Sequence, residues 1–308
     1  MNKLIPLGAL FFLGLGVTQQ SALAVSFTVT QITSEEAIFN EASDTLTPTS
    51  LNNVLSFTVE PNGGGASTQV STKDFFGLAP DTIDTPFPIQ YKGIDNKLFA
   101  NDQDYLTAGT NGLSLSTGIN KTTAQDLESF FFPVIFLDPT AIGDQVVDFF
   151  AADIANNQSP DLWELLDADG NVVASLVTEG TKTNSTDPDW NRLGTQNLER
   201  YNNSTGQIQT FDNRQLSGLA FELSDFVGLT ASNASSVTSM RMTIADPDNS
   251  VDSRPRTDYA FISSNINSIS FQNQVQPTQT VPEPTNLWSL GVILGLGLLS
   301  KKRKKDLT

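Results

Sequence analysis

The sequence contains no histidine and no cysteine among its 308 residues. A Ser/His/Asp triad, a cysteine nucleophile, a histidine or cysteine zinc site and a disulfide framework each need one of these residues, so composition excludes them. Basic residues are also few, since 17 Lys and Arg stand against 34 Asp and Glu, a formal net charge of −17. The 38% hydrophobic residues, 20 Phe among them, are enough for the core of one folded domain.

The segment from Met1 to Ala24 has the pattern of a secretory signal peptide. Lys3 precedes an apolar run from Leu4 to Val17, and the segment ends at Ala24. Small residues at Ala22 and Ala24 suit signal peptidase, and an apolar run of about 14 residues is short for a membrane span. We expect cleavage after Ala24 and export of the body; the alternative is an N-terminal membrane anchor.

Three elements follow one another at the C-terminus. Pro282, Glu283 and Pro284 form a triplet whose prolines keep the chain extended. Residues 287–300 are almost entirely apolar and would reach about 21 Å as a helix, which is short against a bilayer core of about 30 Å. Five consecutive cations then favour a cytoplasmic position for the tail: Lys301, Lys302, Arg303, Lys304 and Lys305.

This ordered end resembles the PEP-CTERM sorting signal of Gram-negative bacteria, and short internal segments are similar to those of cyanobacterial surface proteins of this type. The resemblance covers the chain from Val281 to Thr308, which includes the triplet, the apolar segment and the cations. It implies that a membrane-embedded exosortase, a protease similar to cysteine transpeptidases, cleaves near the triplet and releases the body to the cell surface or the exopolysaccharide matrix. The expected partners are then signal peptidase and the exosortase, with an inner-membrane-anchored precursor. The alternative is an anchor that is never cleaved.

The exported body is more acidic than the whole chain. Six basic residues but only two acidic ones, Glu283 and Asp306, lie in the end segments, which leaves 11 basic and 32 acidic residues, a net charge of −21. Nucleic acid and anionic lipid would be repelled by such a surface. A polysaccharide or a divalent cation is compatible with it, and so is a surface charge that only keeps the protein soluble.

The body is predicted to be an all-β domain, a jelly-roll-like β-sandwich over residues 25–271. Short runs with β-branched and aromatic residues alternate with Gly, Pro, Asn and Asp clusters. A capping-box spacing between Thr33 and Glu36 predicts one short helix. Residues 272–281 are predicted to be a linker. The predicted strands are 25–32, 54–59, 130–137, 146–150, 162–166, 172–178, 219–223, 237–244, 259–263 and 266–271.

Asp167, Asp169 and Asn171 allow two interpretations. Their oxygens occur at alternate positions, as in a Ca²⁺ loop, which makes Ca²⁺ the one candidate cofactor. The order differs from an EF-hand, because Gly170 is fourth in the loop and Thr178 occupies the position of the bidentate Glu. We favour the second interpretation, a hairpin turn that joins strands 162–166 and 172–178.

Trp190 is the aromatic residue considered for glycan binding. It follows the acidic segment Asp187-Pro188-Asp189, and an indole face on a polar loop can stack on a sugar ring. We favour the alternative, a loop anchor folded against the body. Trp163, among leucines, is predicted to be a core residue.

These observations predict an exosortase-sorted surface or matrix protein with a structural or glycan-binding role, not an enzyme. One alternative is a secreted carbohydrate-active enzyme that uses paired carboxylates, since glycoside hydrolysis needs neither His nor Cys. Another is a Ca²⁺-dependent adhesive module.

Overall fold

The computed structural model describes residues 25–42, 46, 52–80, 82–83, 90–92, 110–116, 118–120, 128–154, 161–178, 189–202, 207–244 and 258–275. These residues belong to a compact unit that ends at Val275. In this part of the chain the helical segments are single 3₁₀ turns, and all other regular structure is β. The strands are β1 (Phe27–Ser34), β2 (Ile38–Phe39), β3 (Val54–Pro61), β4 (Thr68–Ser71), β5 (Phe75–Gly77), β6 (Thr82–Ile83), β7 (Gln90–Lys92), β8 (Gly118–Asn120), β9 (Glu128–Leu137), β10 (Phe149–Asp153), β11 (Asp161–Leu166), β12 (Val172–Thr178), β13 (Asn191–Asn202), β14 (Gln207–Phe221), β15 (Ser239–Ile244), β16 (Asp258–Asn265) and β17 (Ile269–Phe271).

The strands form two sheets, which confirms the all-β prediction. The larger sheet has 11 strands in the order β4-β3-β1-β14-β10-β16-β8-β7, with β13 paired to β14, β2 to β1 and β5 to β16. The smaller has six, in the order β12-β11-β15-β9-β17 with β6 paired to β9. Every ladder between these strands is antiparallel, for example Trp163↔Met242 between β11 and β15.

One hydrophobic core contains residues from both sheets. Phe149 and Phe221 of the larger sheet stack with ring centroids 4.7 Å apart, and Trp163 of the smaller sheet lies 5.2 Å from Phe221. Trp163 has no exposed surface, which confirms its prediction as a core residue. Aromatic contacts of this kind add to the free energy gained from burial alone.

A second core covers the opposite face of the larger sheet. Successive residues of β10 point to opposite faces, so Phe149 belongs to the first core while Phe150 belongs to the second and stacks on Phe57 of β3 at 3.9 Å. All five residues of β10 are buried. The central strands of the larger sheet are therefore packed on both faces.

Most of the predicted strands are present, with shifted ends. Predicted strands 130–137, 162–166 and 172–178 agree closely with β9, β11 and β12, whereas predicted strand 146–150 begins three residues before β10. The short helix predicted after Thr33 is wrong. β1 continues to Ser34, whose amide nitrogen and hydroxyl donate to the carbonyl of Ala37, and β2 then pairs back onto β1.

The predicted signal peptide and the predicted C-terminal sorting signal lie outside the described residues. This applies to the signal peptide with Ala22 and Ala24, to the triplet Pro282, Glu283 and Pro284, to the helix 287–300 and to the cations Lys301, Lys302, Arg303, Lys304 and Lys305. No helix among the residues that the structure describes is long and apolar enough to cross a membrane.

The folded unit extends slightly further than the predicted boundary at residue 271. The amide of Gln272 donates to the carbonyl of Pro133, and the amide of Val275 donates to the carbonyl of Gly77 at 3.1 Å. The side chain of Gln274 is buried and bonded to Phe76 and Ser264. Residues 272–275, predicted to be the start of the linker, are thus part of the domain.

Candidate functional site

Three carboxylates hold the segment that leads into β1. The amide nitrogen of Val25 donates to Oδ1 of Asp189 at 3.2 Å, and that of Ser26 donates to Oδ2 of Asp225 at 3.1 Å. The Ser26 hydroxyl lies 2.6 Å from Asp225 Oδ1 and 3.0 Å from Glu222 Oε1. We call Asp189, Glu222 and Asp225 the N-terminal carboxylate cluster. It binds the first two residues that would remain after cleavage at Ala24.

A 3₁₀ turn after β14 positions two of these carboxylates. Glu222 and Asp225 form a reciprocal capping box around the turn Leu223–Asp225, and the amide of Glu222 donates to Asp225 Oδ2 at 2.9 Å. Glu222 also accepts at Oε2 from the amide of Gln145 at 3.1 Å. Backbone amides satisfy these oxygens, so the turn fixes the direction of both side chains.

The Ser26 hydroxyl has one hydrogen but faces two carboxylates, Asp225 and Glu222. The contact with Asp225 Oδ1 at 2.6 Å is the shorter and stronger of the two, and the contact with Glu222 Oε1 at 3.0 Å is the weaker. Burial raises the pKa of Asp225, while hydrogen bonds from Ser26 and from the amide of Glu222 act in the opposite direction. Asp225 therefore ionises less readily here than an aspartate in water.

Asp148 is a fourth acidic residue, buried behind the same turn. Its side chain has no exposed surface, and Oδ2 accepts from the amide of Leu223 at 2.7 Å. Burial raises the pKa of Asp148 to about 7, with smaller contributions in the same direction from Asp144 and Glu222. A carboxyl group in such a position exchanges its proton near neutral pH.

A second polar cluster lies inside the first core. Tyr259 of β16 donates its hydroxyl to Oδ2 of Asp161, the first residue of β11, at 2.6 Å. Burial, followed by the charge of Asp161, raises the pKa of Tyr259 well above its usual value. The phenol therefore remains a hydrogen-bond donor that links the two sheets.

Trp190 packs against this cluster and is buried. Its ring centroid lies 5.5 Å from that of Tyr259, and the residue is 0% exposed. An indole without exposed surface cannot stack on a sugar ring, so this packing does not support the glycan contact considered at Trp190. The structure instead shows the alternative, an aromatic anchor folded against the body.

Asp167, Asp169 and Asn171 form the turn of the β11–β12 hairpin. Oδ1 of Asp167 accepts from the amides of Asp169 at 3.0 Å and Asn171 at 2.8 Å, and Asn171 Nδ2 donates to both oxygens of Asp167. Hydrogen bonds from Asn171 lower the pKa of Asp167. The hairpin interpretation is confirmed. Both side-chain oxygens of Asp167 therefore accept hydrogen bonds within this turn.

The described residues contain no group of three or more acidic side chains arranged to hold a metal ion. The carboxylates that do come together bind the protein's own amides and hydroxyls. Sequence reasoning missed this cluster because Asp189, Glu222 and Asp225 are brought together with residues 25 and 26 only by folding. The Glu222–Asp225 spacing, which is that of a capping box, is the one local signal of part of it.

No family model matches the chain, and comparisons with curated proteins and with solved structures found no significant match.

Proposed function

We propose that the chain is an exosortase-sorted protein of the cell surface or exopolysaccharide matrix with a structural or glycan-binding role. The observation that carries the proposal is the order of the triplet at 282–284, the apolar segment 287–300 and the cations at 301–305, together with the signal-like segment from Met1 to Ala24. The position of the strands in the sequence supports the proposal, because every described strand lies between Phe27 and Phe271 and thus between the two end segments. Removal of both end segments would leave these strands intact.

Among the roles outside the membrane, the described residues favour a structural one. The N-terminal carboxylate cluster binds Val25 and Ser26 of the chain itself, and Trp190 is part of the core. Both alternatives, the carbohydrate-active enzyme and the Ca²⁺-dependent module, need carboxylates that face a substrate or a cation. The clustered carboxylates described above face backbone amides and hydroxyls instead.

A jelly-roll-like arrangement is the finer fold that we propose. From β9 to β11 and again from β14 to β17, consecutive strands alternate between the two sheets. Such alternation between antiparallel sheets that share a core is typical of Greek-key sandwiches.

Expression of the full chain in a Gram-negative host with and without an exosortase tests the proposal. With the exosortase, we expect a released protein whose mass shows that its C-terminal residue lies near Pro284. A variant with Pro282→Ala and Pro284→Ala should stay in the membrane fraction at full C-terminal length. Pro277→Ala, which changes a proline shortly before the triplet, is the matched control and should be processed like the wild type. The same C-terminal mass in both hosts would contradict exosortase sorting.

A matrix pull-down then separates the two roles outside the membrane. A glycan-binding protein should be retained by purified exopolysaccharide and eluted by soluble fragments of it. A protein with a purely structural role should pass through.

A further inference from the structure

Asp189 has the geometry of a binding site for a new amino terminus. Its Oδ1 lies 3.2 Å from the backbone nitrogen of Val25, and the two residues are 4% and 0% exposed. In the chain as translated this nitrogen belongs to a neutral peptide group. Cleavage after Ala24 converts the same atom into a primary ammonium with three hydrogens and a positive charge.

We propose that Asp189 binds the α-ammonium of Val25 once the signal segment has been removed, and that this buried ion pair stabilises the mature domain relative to its precursor. The inference rests on the proposed function, in which signal peptidase cleaves after Ala24. The ligand class is a primary ammonium, supplied by the chain itself.

The expected gain in stability comes from the positive charge of the Val25 ammonium at a buried position. A carboxylate that accepts from a neutral amide is solvated less well than in water, and an ammonium at the same distance adds a charge-assisted hydrogen bond. The low effective dielectric of a buried site strengthens the attraction compared with a surface pair. Asp189 is already desolvated in the precursor, so the mature protein adds only the desolvation of the ammonium, which the attraction to Asp189 offsets.

The neighbouring contacts fix the position of the nitrogen before any charge forms. Ser26 is held through its amide by Asp225 and through its hydroxyl by Asp225 and Glu222. The side chain of Val25 is part of the first core. The ammonium would therefore already lie beside Asp189 when it forms, and the ion pair would cost little further conformational entropy.

The experiment starts from the full chain, exported and processed by a Gram-negative host. Mass spectrometry of the purified product determines its first residue. A second full chain has one alanine inserted between Ala24 and Val25. Because signal peptidase needs a small residue three positions before the cut, cleavage stays after Ala24, and the product begins one residue earlier. Each form is made with Asp189 and with Asp189→Asn, and Asp169→Asn, which removes an exposed carboxylate from the hairpin turn, is the matched control.

We expect the protein that begins at Val25 to melt at least about 5 °C above the form extended by alanine, because breaking a buried pair costs several kcal/mol. Asp189→Asn should lower the melting temperature by a similar amount in the Val25 form and by less than half as much in the extended form. Asp169→Asn should change both forms equally.

An independent readout is the reaction of the α-amino group with an amine reagent at pH 7. In the folded wild type the Val25 amine should react at least roughly tenfold more slowly than the amine of the extended form, and this comparison needs no Asp189 variant. If the product begins at Val25 but equal melting temperatures and equal labelling are found for the two forms, the ion pair is refuted while export stands. If the product still carries the segment from Met1 to Ala24, signal cleavage itself fails, and the inference fails with it.

Discussion

Asp148 is the residue whose ionisation the fold opposes most clearly. Burial raises its pKa to about 7, so in the folded protein the carboxyl group is still protonated at a pH where the unfolded chain has lost that proton. The unfolded state binds fewer protons between about pH 4 and pH 7, and stability falls as the pH rises through this window. Asp225, whose pKa burial also raises, contributes in the same direction.

We predict that Asp148→Asn flattens the pH dependence of stability. An amide can accept from the Leu223 amide through its oxygen but carries no charge at any pH. With the pKa of Asp148 raised to about 7 by burial, the ionisation of this one group changes the free energy of unfolding by an amount on the order of 4 kcal/mol. The free energy of unfolding from urea titrations at pH 4, 5, 6, 7 and 8 should fall less steeply for the variant than for the wild type, and at pH 8 the variant should be the more stable.

Glu60→Gln, at an exposed position on β3, is the control and should keep the wild-type slope. A variant with Asp148→Asn that retains the full slope would show that other carboxyl groups cause it.

At the scale of elements, Gly218 shows how closely strands pack beside the N-terminal segment. It pairs with Asn191 of β13 and Ala152 of β10, and a Cβ added there would lie 2.8 Å from Cγ1 of Val29 on β1. We predict that Gly218→Ala destabilises the protein by about 1–3 kcal/mol, because a buried β-branched neighbour cannot move far enough to make room. Urea unfolding measures the loss.

Two comparisons make this prediction specific. Gly63→Ala, in a turn where an added Cβ meets nothing within 4 Å, should change stability by less than about 0.5 kcal/mol. Val29→Ala in the Gly218→Ala background should cost less than Val29→Ala alone, since it removes the clash. Additive losses would mean that Val29 is not the obstacle.

The elements also show what the sequence could predict and what it could not. β11 and β12 were predicted closely because an apolar run, an Asp/Gly turn and a second apolar run are local signals. β13 and the first part of β14 were missed, since both contain Asn, which is depleted in strands. A long antiparallel ladder from Asn191↔Gly218 to Asn202↔Gln207 compensates here. The capping-box spacing at Thr33 was overridden by the pairing of β2 with β1.

For the molecule as a whole, the ends were easier to interpret than the middle. The signals proposed at the two ends rest on composition along short segments, whose order is visible in the sequence. The N-terminal carboxylate cluster joins residues separated by 164 positions at Val25–Asp189 and 199 positions at Ser26–Asp225. Contacts at such separations depend on the topology of two sheets, which the local patterns of the sequence do not reveal.

The last prediction concerns where the domain ends. Gln274 donates through Nε2 to the Ser264 hydroxyl at 2.8 Å and accepts from the amide of Phe271 at 3.1 Å, and the amide of Val275 donates to Gly77. A protein of residues 25–275 should therefore fold by itself, with a β-rich circular dichroism spectrum and one cooperative melting transition. Residues 25–271 should melt several degrees lower, since they lose a buried side chain and its hydrogen bonds. A protein of residues 25–281 is the control, and its melting temperature should equal that of residues 25–275. Equal melting temperatures for residues 25–271 and 25–275 would show that the domain ends at Phe271.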